Sequence, residues 1–420
     1  MSPMCSSTIC INEKDWYEEK KYRLADFFNQ WWDIYKESPK EPITEEQYKA
    51  VNSLRVCRTE ALGVDYYACP DCGEITKVYH SCKNRFCPTC SWQETLKWAD
   101  KIKGKMLDLP HRHIVMTLPH QLNSLIKANK KELLSALMRV SSDTIKDWMR
   151  YKYNIKPGII TVLHTFGETK EYHVHVHMIV SWGGIDLKTS LLHTIKGDYV
   201  KYNFLSNKFR IKFEDELISL FDKDTLKQDF KTREKFMQFI KRINQKRWII
   251  HLEPSMNVPT QVIRYIGRYS KRACLSEYKI TKMEEDSISF RYKDYKTKDN
   301  NSKPIERELS LNYRDFFPRL LQHVPLKYFR IVRYYGVYSN RSSLPREYLF
   351  TENDTTSDAN TDNWEILQTE KTGENPLICR KCNKRKVYVY TKLRRRKDNG
   401  AIAFKRILLS KKEFRKDRVA

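Results

Sequence analysis

The stretch YHVHVHMIVS at residues 172–181 decides the prediction of both the fold and the site. Side chains alternate between the two faces of a β-strand, so His173, His175 and His177 would share one face and the intervening valines the other. Neutral imidazole is a common ligand of divalent metal ions, and a metal explains why three histidines line up on a sheet. The alternative is a solvated histidine row on a sheet whose valine face is buried.

A second strand-like stretch, GIITVLHTF at residues 158–166, is joined to the first by the polar loop GETKE, which predicts a β-hairpin. In the expected register His164 lies across from His175 on the same face, and a slip of one residue would turn it away. We therefore predict His175 and His177 as metal ligands and His164 as the third, with Glu168 in the loop as the alternative third. Three ligands leave positions open for catalysis. Mg²⁺ or Mn²⁺ is expected where phosphate oxygens are substrates, although imidazoles also suit zinc.

The chain carries 78 Lys and Arg against 52 Asp and Glu, a net charge of +26 over 420 residues. Such an excess predicts an anionic polymer as partner, most simply nucleic acid. Residues 380–420 alone hold 17 Lys and Arg against 3 Asp and Glu, which predicts a flexible basic arm for phosphates. The stretch before it is acidic, polar and poor in aliphatic residues, as is typical of a linker.

No run of about 18 apolar residues occurs, and the N-terminus lacks a basic start followed by an apolar core. We expect a protein that neither spans a membrane nor is secreted. Six of the 11 cysteines lie in CxxC pairs, which favours metal binding in a reducing cytoplasm over a disulfide framework.

Two of these CxxC pairs, separated by 14 residues, predict one tetrahedral zinc site made of Cys69, Cys72, Cys87 and Cys90. Such a fully ligated zinc has a structural or DNA-docking role, because it has no open position for chemistry. Additional zinc ligands are predicted among Cys57, His80 and Cys82. The pair Cys379-Arg-Lys-Cys382 has no obvious partner pair, and is interpreted as half of an intermolecular site or as two free thiols.

The stretch QVIRYIGRYSKR at residues 261–272 predicts a helix that displays two tyrosines, Tyr265 and Tyr269, on one face. A phenol is a nucleophile for phosphorus, and two phenols on consecutive turns would allow two successive strand transfers. The alternative is an amphipathic helix that packs two aromatic rings into a core. The same helix carries a basic stripe predicted to bind DNA, formed by Arg264, Arg268, Lys271 and Arg272.

These motifs together resemble a known family. HVHVHM is similar to the His-hydrophobic-His motif of the HUH endonucleases, and YIGRY to a paired-tyrosine motif. The closest resemblance is to the IS-ninety-one family of rolling-circle insertion-sequence transposases. It extends over roughly residues 50–340 and includes the stretches at 57–90, 111–122, 163–184 and 290–339.

The resemblance implies that His175 and His177 hold the metal and that Tyr265 and Tyr269 are the nucleophiles. Relatives commonly carry Gln or His where this chain has His164, which favours that residue over Glu168. Many relatives have proline in place of Val174, a difference that leaves the ligands intact. The expected fold class is α+β: an HUH domain with a central antiparallel sheet and flanking helices, preceded by a helical and zinc-binding module. The expected regions are the N-terminal helices and zinc module 1–104, the catalytic domain 105–345, an acidic linker 346–378 and a basic tail 379–420.

The implied function is that of a transposase that cleaves and rejoins single-stranded DNA, at transposon ends and target, through 5′-phosphotyrosine intermediates. The implied location is a bacterial or archaeal cytoplasm, where the protein would associate with the nucleoid. Arg333 and the tyrosines after it are predicted to hold the single strand. One alternative is a replication initiator or relaxase of the same chemistry. No GxxxxGK[ST] loop occurs, so a fused helicase of the usual kind is not expected. The other alternative is a non-catalytic zinc protein that binds DNA.

Overall fold

The predicted hairpin forms the middle of a five-stranded antiparallel sheet, and helices pack on both of its faces. A computed structural model describes residues 22–246, 248–256, 273–299, 303–342, 344–349, 365, 369, 374–396 and 402–407.

Within these ranges the helices are α1 Leu24–Glu37, α2 Glu45–Arg55, α3 Pro88–Lys103, α4 Asn123–Ala128, α5 Lys130–Tyr153, α6 Tyr202–Asp222, α7 Arg233–Asn244 and α8 Tyr313–Leu321. The strands are β1 Val64–Ala68, β2 Ile75–Tyr79, β3 His111–Thr117, β4 Ile155–Lys156, β5 Gly158–Phe166, β6 Tyr172–Ser181, β7 Gly183–Asp186, β8 Leu192–Thr194, β9 Ile249–Met256, β10 Ile280–Glu284, β11 Ser287–Lys298, β12 Pro304–Asn312, β13 Val332–Gly336, β14 Val387–Arg396 and β15 Ile402–Ile407. Helices alternate with antiparallel strands, so the predicted α+β class is confirmed.

The central sheet has the strand order β13–β5–β6–β3–β9. Val174 and Val176 of β6 point into the main apolar core, which α5, α6 and α7 complete on that face. On the opposite face Ile179 packs against Trp98 and Ile102 of α3, further along the same strand from the histidines. One end of the histidine face is therefore covered by α3.

The helical stretch between Tyr202 and Asn244 is broken into two helices, α6 and α7. The break has a local cause. Asp224 adopts a left-handed conformation with φ of 51°, and the side chain of Thr232 accepts a hydrogen bond from the N–H of Lys235 to begin α7. Asn129 fixes the connection by donating to the carbonyl of Lys227 at 2.8 Å and accepting from its N–H at 2.6 Å. None of the described helices is long and apolar enough to cross a membrane.

The N-terminal helices share one core with a segment more than 200 residues later in the chain. Phe27 and Phe28 of α1 pack against Phe317 of α8, with the Phe28 and Phe317 rings stacked at 4.4 Å. Cys87 and the β10–β11 hairpin belong to the same cluster of buried side chains. The boundary predicted at residue 104 therefore does not divide the packing of the molecule.

The predicted flexible basic arm is wrong for the part of it that the structure describes. Strand β14 pairs with β1, and the two hairpins join into a four-stranded antiparallel sheet in the order β15–β14–β1–β2. The rings of Tyr66 and Tyr390 stack across this pairing at 4.4 Å. The alternating aromatic residues of β14 provide a strand pattern that the high charge of this region obscured. Most of the predicted linker lies outside the described residues.

Candidate metal centres

Three imidazoles converge on the face of the hairpin opposite to the one that Val174 and Val176 occupy. His164 is paired with His175 across the ladder between β5 and β6, and His177 lies two residues further along β6, so the three side chains emerge on one face. Their ring nitrogens lie within 4.8 Å of one another. The Nε2 atoms of His175 and His177 are 3.1 Å apart. The predicted register is the one observed, and the donor set fits a divalent ion.

Hydrogen bonds set the direction in which two of these rings present a lone pair. Nδ1 of His175 donates to the carbonyl oxygen of His173 at 3.0 Å, so Nε2 of the neutral ring is left as the acceptor. Nδ1 of His177 lies 2.9 Å from Nε2 of His113 on β3, and the two rings are parallel within 3°. Partners of this kind orient metal-binding histidines in general.

His113 is the residue of this site that the sequence did not indicate. The signal was present as the second histidine of HRHIVMT, but only the pairing of β3 with β6 brings it beside His177. His173, by contrast, is half-buried and lies outside the group of converging ligand atoms.

Burial keeps the site histidines uncharged. Burial lowers the pKa of His175 and of His177 well below the usual value of 6.5, and their histidine neighbours lower it further. Burial also lowers the pKa of His113 to about 4. Near neutral pH these imidazoles are therefore neutral, which is the state that binds a metal.

Glu168, the alternative third ligand, is occupied elsewhere. Its carboxylate forms an ion pair with Lys279 at 3.0 Å and accepts from the N–H of Lys293 at 3.3 Å. Burial raises its pKa, but Lys279 and Lys170 outweigh that effect and the net shift is downward. Glu168 thus anchors the hairpin loop to the β10–β11 region, and His164 completes the triad.

The predicted nucleophiles Tyr265 and Tyr269 lie outside the described residues, as does the basic stripe of Arg264, Arg268, Lys271 and Arg272. The chain is described again from Ala273, whose N–H donates to Ser91 at 2.9 Å. Ala273 and His164 line the same cavity of about 60 Å³.

Arg333 lies on β13 opposite Thr161, on the face of the sheet away from the histidines. Its guanidinium donates to the hydroxyl of Ser135 on α5 at 2.8 Å. The structure therefore does not bring Arg333 to the histidine triad, because strand alternation turns it to the helical side.

The cysteines form two clusters, and the predicted quartet is divided between them. The first, called here cluster 1, contains Cys57, Cys82, Cys87 and Cys90. Its sulfurs are 3.5 Å apart for Cys57 and Cys90, and 3.5 Å apart for Cys82 and Cys90. The N–H of Cys82 points to the Cys57 sulfur at 3.5 Å. Four buried or half-buried thiols with no carboxylate among them fit a structural zinc.

The second cluster, called here cluster 2, contains Cys69, Cys72, Cys379 and Cys382. It corrects two predictions. Cys69 and Cys72 do not share a site with Cys87 and Cys90, and the C-terminal CxxC pair meets its partner within the same chain. Spacing could not reveal this, because each CxxC turn is local and only strand pairing decides which turns meet.

Cys57 and Cys82, predicted as additional zinc ligands, do lie in a cluster, but His80 does not. Its Nε2 lies 2.9 Å from a carboxylate oxygen of Asp65, which raises the pKa of the imidazole. The same oxygen accepts a hydrogen bond from Thr391, so His80 belongs to the polar contacts that join β1 to β14.

Comparisons with known proteins agree with this arrangement. Residues 158–345 match the family model described as "Putative transposase", and residues 27–118 match that of the "Transposase zinc-binding domain". A protein of Sinorhizobium fredii named "Putative transposase y4qJ" is 27% identical over 326 residues, which are 76% of this chain and 80% of that protein. The "Transposase for insertion sequence element IS801" of Pseudomonas savastanoi is 26% identical over 320 residues, 73% of this chain and 74% of that protein. No solved structure matches the chain significantly.

The first family match covers the histidine hairpin and the second covers cluster 1, so the fold and these sites define a transposase with a zinc-binding domain. A transposase acts on DNA, in agreement with the net charge of +26. The chain belongs to the IS-ninety-one family of transposases.

Proposed function

We propose that this transposase cuts and rejoins single-stranded DNA at the histidine triad and moves an insertion sequence by a rolling-circle-like route. One observation carries the proposal: His164, His175 and His177 converge on one sheet face, and burial keeps the imidazoles of His175 and His177 neutral. A divalent ion bound there would polarise the scissile phosphate and offset the charge that develops on it. Mg²⁺ or Mn²⁺ is the proposed ion, because the substrate supplies phosphate oxygens.

Tyr265 and Tyr269 are the proposed nucleophiles. The phenol oxygen of one tyrosine forms a bond to the scissile phosphorus while the bond to the 3′ oxygen breaks. The products are a 5′-phosphotyrosine and a free 3′-hydroxyl, and the proton lost by the phenol is balanced by the one that the 3′ oxygen gains. The second tyrosine repeats the step on the target or at the other transposon end.

Covalent reach supports this assignment. Ala273 lines the cavity that His164 also lines, and four residues of chain span at most about 14 Å. Tyr269 precedes Ala273 by four residues in the sequence, so covalent reach permits it to act at that cavity. The arginines and lysines between 264 and 272 would bind phosphates of the same strand.

Cluster 1 is proposed to hold a structural zinc. Its four thiolates would fill a tetrahedral shell, so this site would stabilise the fold of the N-terminal module and leave the chemistry to the histidines. The aromatic ring of Phe86 beside it packs on Phe28, which ties the cluster to the shared core.

The test is an assay for a covalent adduct on a labelled single-stranded oligonucleotide that carries a transposon end, with and without Mg²⁺. We expect a metal-dependent adduct in the wild type, and none when Tyr265→Phe and Tyr269→Phe are combined. Tyr151→Phe, an exposed tyrosine at the end of α5, is the matched control and should retain the adduct.

Three results would contradict the proposal. An adduct that persists in the double variant would assign the nucleophile elsewhere, and no adduct in the wild type would favour a non-catalytic zinc protein. Cleavage confined to a plasmid origin, without strand transfer between transposon ends, would favour a replication initiator or relaxase.

A further inference from the structure

We propose that cluster 2 is a second zinc site, and that it clasps the C-terminal segment onto the N-terminal zinc module. The site would be built from two CxxC turns more than 300 residues apart in the chain. It is independent of the proposed strand-transfer chemistry. The family match to a zinc-binding domain ends at residue 118 and therefore includes only half of these ligands.

The four sulfurs already lie at the distances that one shared ion requires. The Sγ atoms of Cys69 and Cys382 are 3.3 Å apart, and those of Cys72 and Cys379 are 3.5 Å apart. The Sγ atoms of Cys72 and Cys382 are 3.7 Å apart. Each sulfur thus has neighbours on the other turn, as in a tetrahedral four-thiolate site.

The two turns are built alike. In the first, the N–H of Cys69 donates to the carbonyl of Glu74 at 2.9 Å and the N–H of Gly73 donates to the carbonyl of Cys69 at 3.0 Å. In the second, the corresponding bonds run from Cys379 to the carbonyl of Lys384 and from Asn383 to the carbonyl of Cys379, both at 2.9 Å.

The residue after the second cysteine is left-handed in both turns, with φ of 71° at Gly73 and 54° at Asn383. Gly and Asn are the residues that adopt this conformation most readily. The repetition of hydrogen bonds, dihedral angle and residue type indicates a pair of zinc knuckles facing each other.

Contacts outside the sulfurs hold the turns in place. Strand β14, which begins five residues after Cys382, pairs with β1, which ends at the residue before Cys69. The buried ammonium of Lys386 donates to the hydroxyl of Thr76 at 2.6 Å and lies 3.3 Å from the carboxylate of Glu74. The site is therefore preorganised by the sheet, and four soft thiolates select zinc over Mg²⁺ or Mn²⁺.

The first experiment counts zinc in the full-length protein purified under reducing conditions. The metal is released with a mercurial reagent and titrated with a chromogenic chelator. We expect two zinc ions per chain in the wild type and one when Cys379→Ser and Cys382→Ser are combined. Cys82→Ser with Cys87→Ser should also leave one, lost from cluster 1, and Cys274→Ala, a buried cysteine of neither cluster, should leave two.

One zinc per chain in the wild type, or two in the Cys379→Ser, Cys382→Ser variant, would overturn the proposal. Substitution of cobalt for zinc gives an independent reading: the visible absorption of tetrahedral thiolate-bound cobalt should fall by about half in that variant. Folding of the variants is checked separately by circular dichroism.

The second experiment asks whether the site acts as a clasp. A protease cassette inserted between Asp358 and Ala359 allows the purified chain to be cut once. We expect the C-terminal fragment to co-elute with the remainder in size-exclusion chromatography, in reducing buffer, and to separate after zinc is stripped. Separation by the reductant alone would indicate disulfides, and co-elution after complete stripping would assign the contact to strand pairing; either result would overturn the clasp.

Discussion

At the scale of single residues, the histidine triad depends on the hydrogen-bond partners of its imidazoles. His175 is oriented by a backbone carbonyl of its own strand, whereas His177 is oriented by His113 from the neighbouring strand β3. The partner of His175 is part of the backbone and cannot be removed by a substitution. The partner of His177 is a side chain, so one substitution removes it. His113 should therefore act as a positioning residue.

Replacement of His113 by Phe should keep an aromatic ring beside His177 and remove the hydrogen bond to its Nδ1. Loss of such an outer partner typically weakens metal binding about 10–100-fold, so the dissociation constant for Mn²⁺ should rise by that factor. The measurement is a titration followed by electron paramagnetic resonance of free Mn²⁺. His193→Phe, at an exposed position on β8, is the control. Equal affinity for Mn²⁺ in the two variants would contradict the positioning role of His113.

At the scale of elements, the sheet is completed by a short edge strand from late in the chain. Strand β13 pairs with β5 from Val332 to Gly336, which places it on the strand that carries His164. Gly336 ends this pairing with φ of 62°, and a Cβ there would lie 1.8 Å from the carbonyl oxygen of Pro157. Only glycine can make this approach, so the position fixes how β13 docks.

Gly336→Ala should consequently lower the free energy of unfolding by about 1–3 kcal/mol, because a strained conformation and a backbone clash arise together. Urea denaturation followed by tryptophan fluorescence measures the loss. Gly104→Ala is the matched control, since no atom lies within 4 Å of a Cβ there and its φ is negative. A loss no larger than that of the control would show that β13 tolerates a shift.

At the scale of the whole molecule, each apolar core is assembled from distant parts of the chain. Phe317 contacts Phe27, Phe28 and Trp32, so α8 and α1 stabilise one another. The ring of Phe28 in turn packs on Phe86, which is adjacent to a cysteine of cluster 1. The zinc module should therefore lose its support when α8 is disturbed.

Phe317→Ala should lower the free energy of unfolding by about 3–5 kcal/mol, the usual cost of truncating a buried phenylalanine. It should also accelerate zinc release from cluster 1 to a chromogenic chelator, although residue 317 is far from those cysteines in sequence. Phe204→Ala, at a 42% exposed position on α6, is the control and should change neither quantity appreciably. Zinc release at the wild-type rate would show that the module folds independently of α8.

The sequence by itself determined the histidine hairpin, its register and the α+β class. Strand alternation and a short loop leave little freedom there, because a slip of one residue would exchange the faces that the histidines and the valines occupy. It also determined that six cysteines lie in CxxC pairs and that the net charge favours a polyanionic partner. These properties are local or additive, so they can be predicted from composition, spacing and periodicity alone.

Only the tertiary structure decided which local pieces meet. It paired the CxxC turn of Cys69 with that of Cys379 instead of that of Cys87, and it brought His113 to His177 while turning Arg333 away. It also converted part of a charged tail into strands of the N-terminal sheet. The physical reason is the same in each case: pairing between strands is set by hydrogen bonds and packing between segments far apart in the chain, and no single segment contains that information.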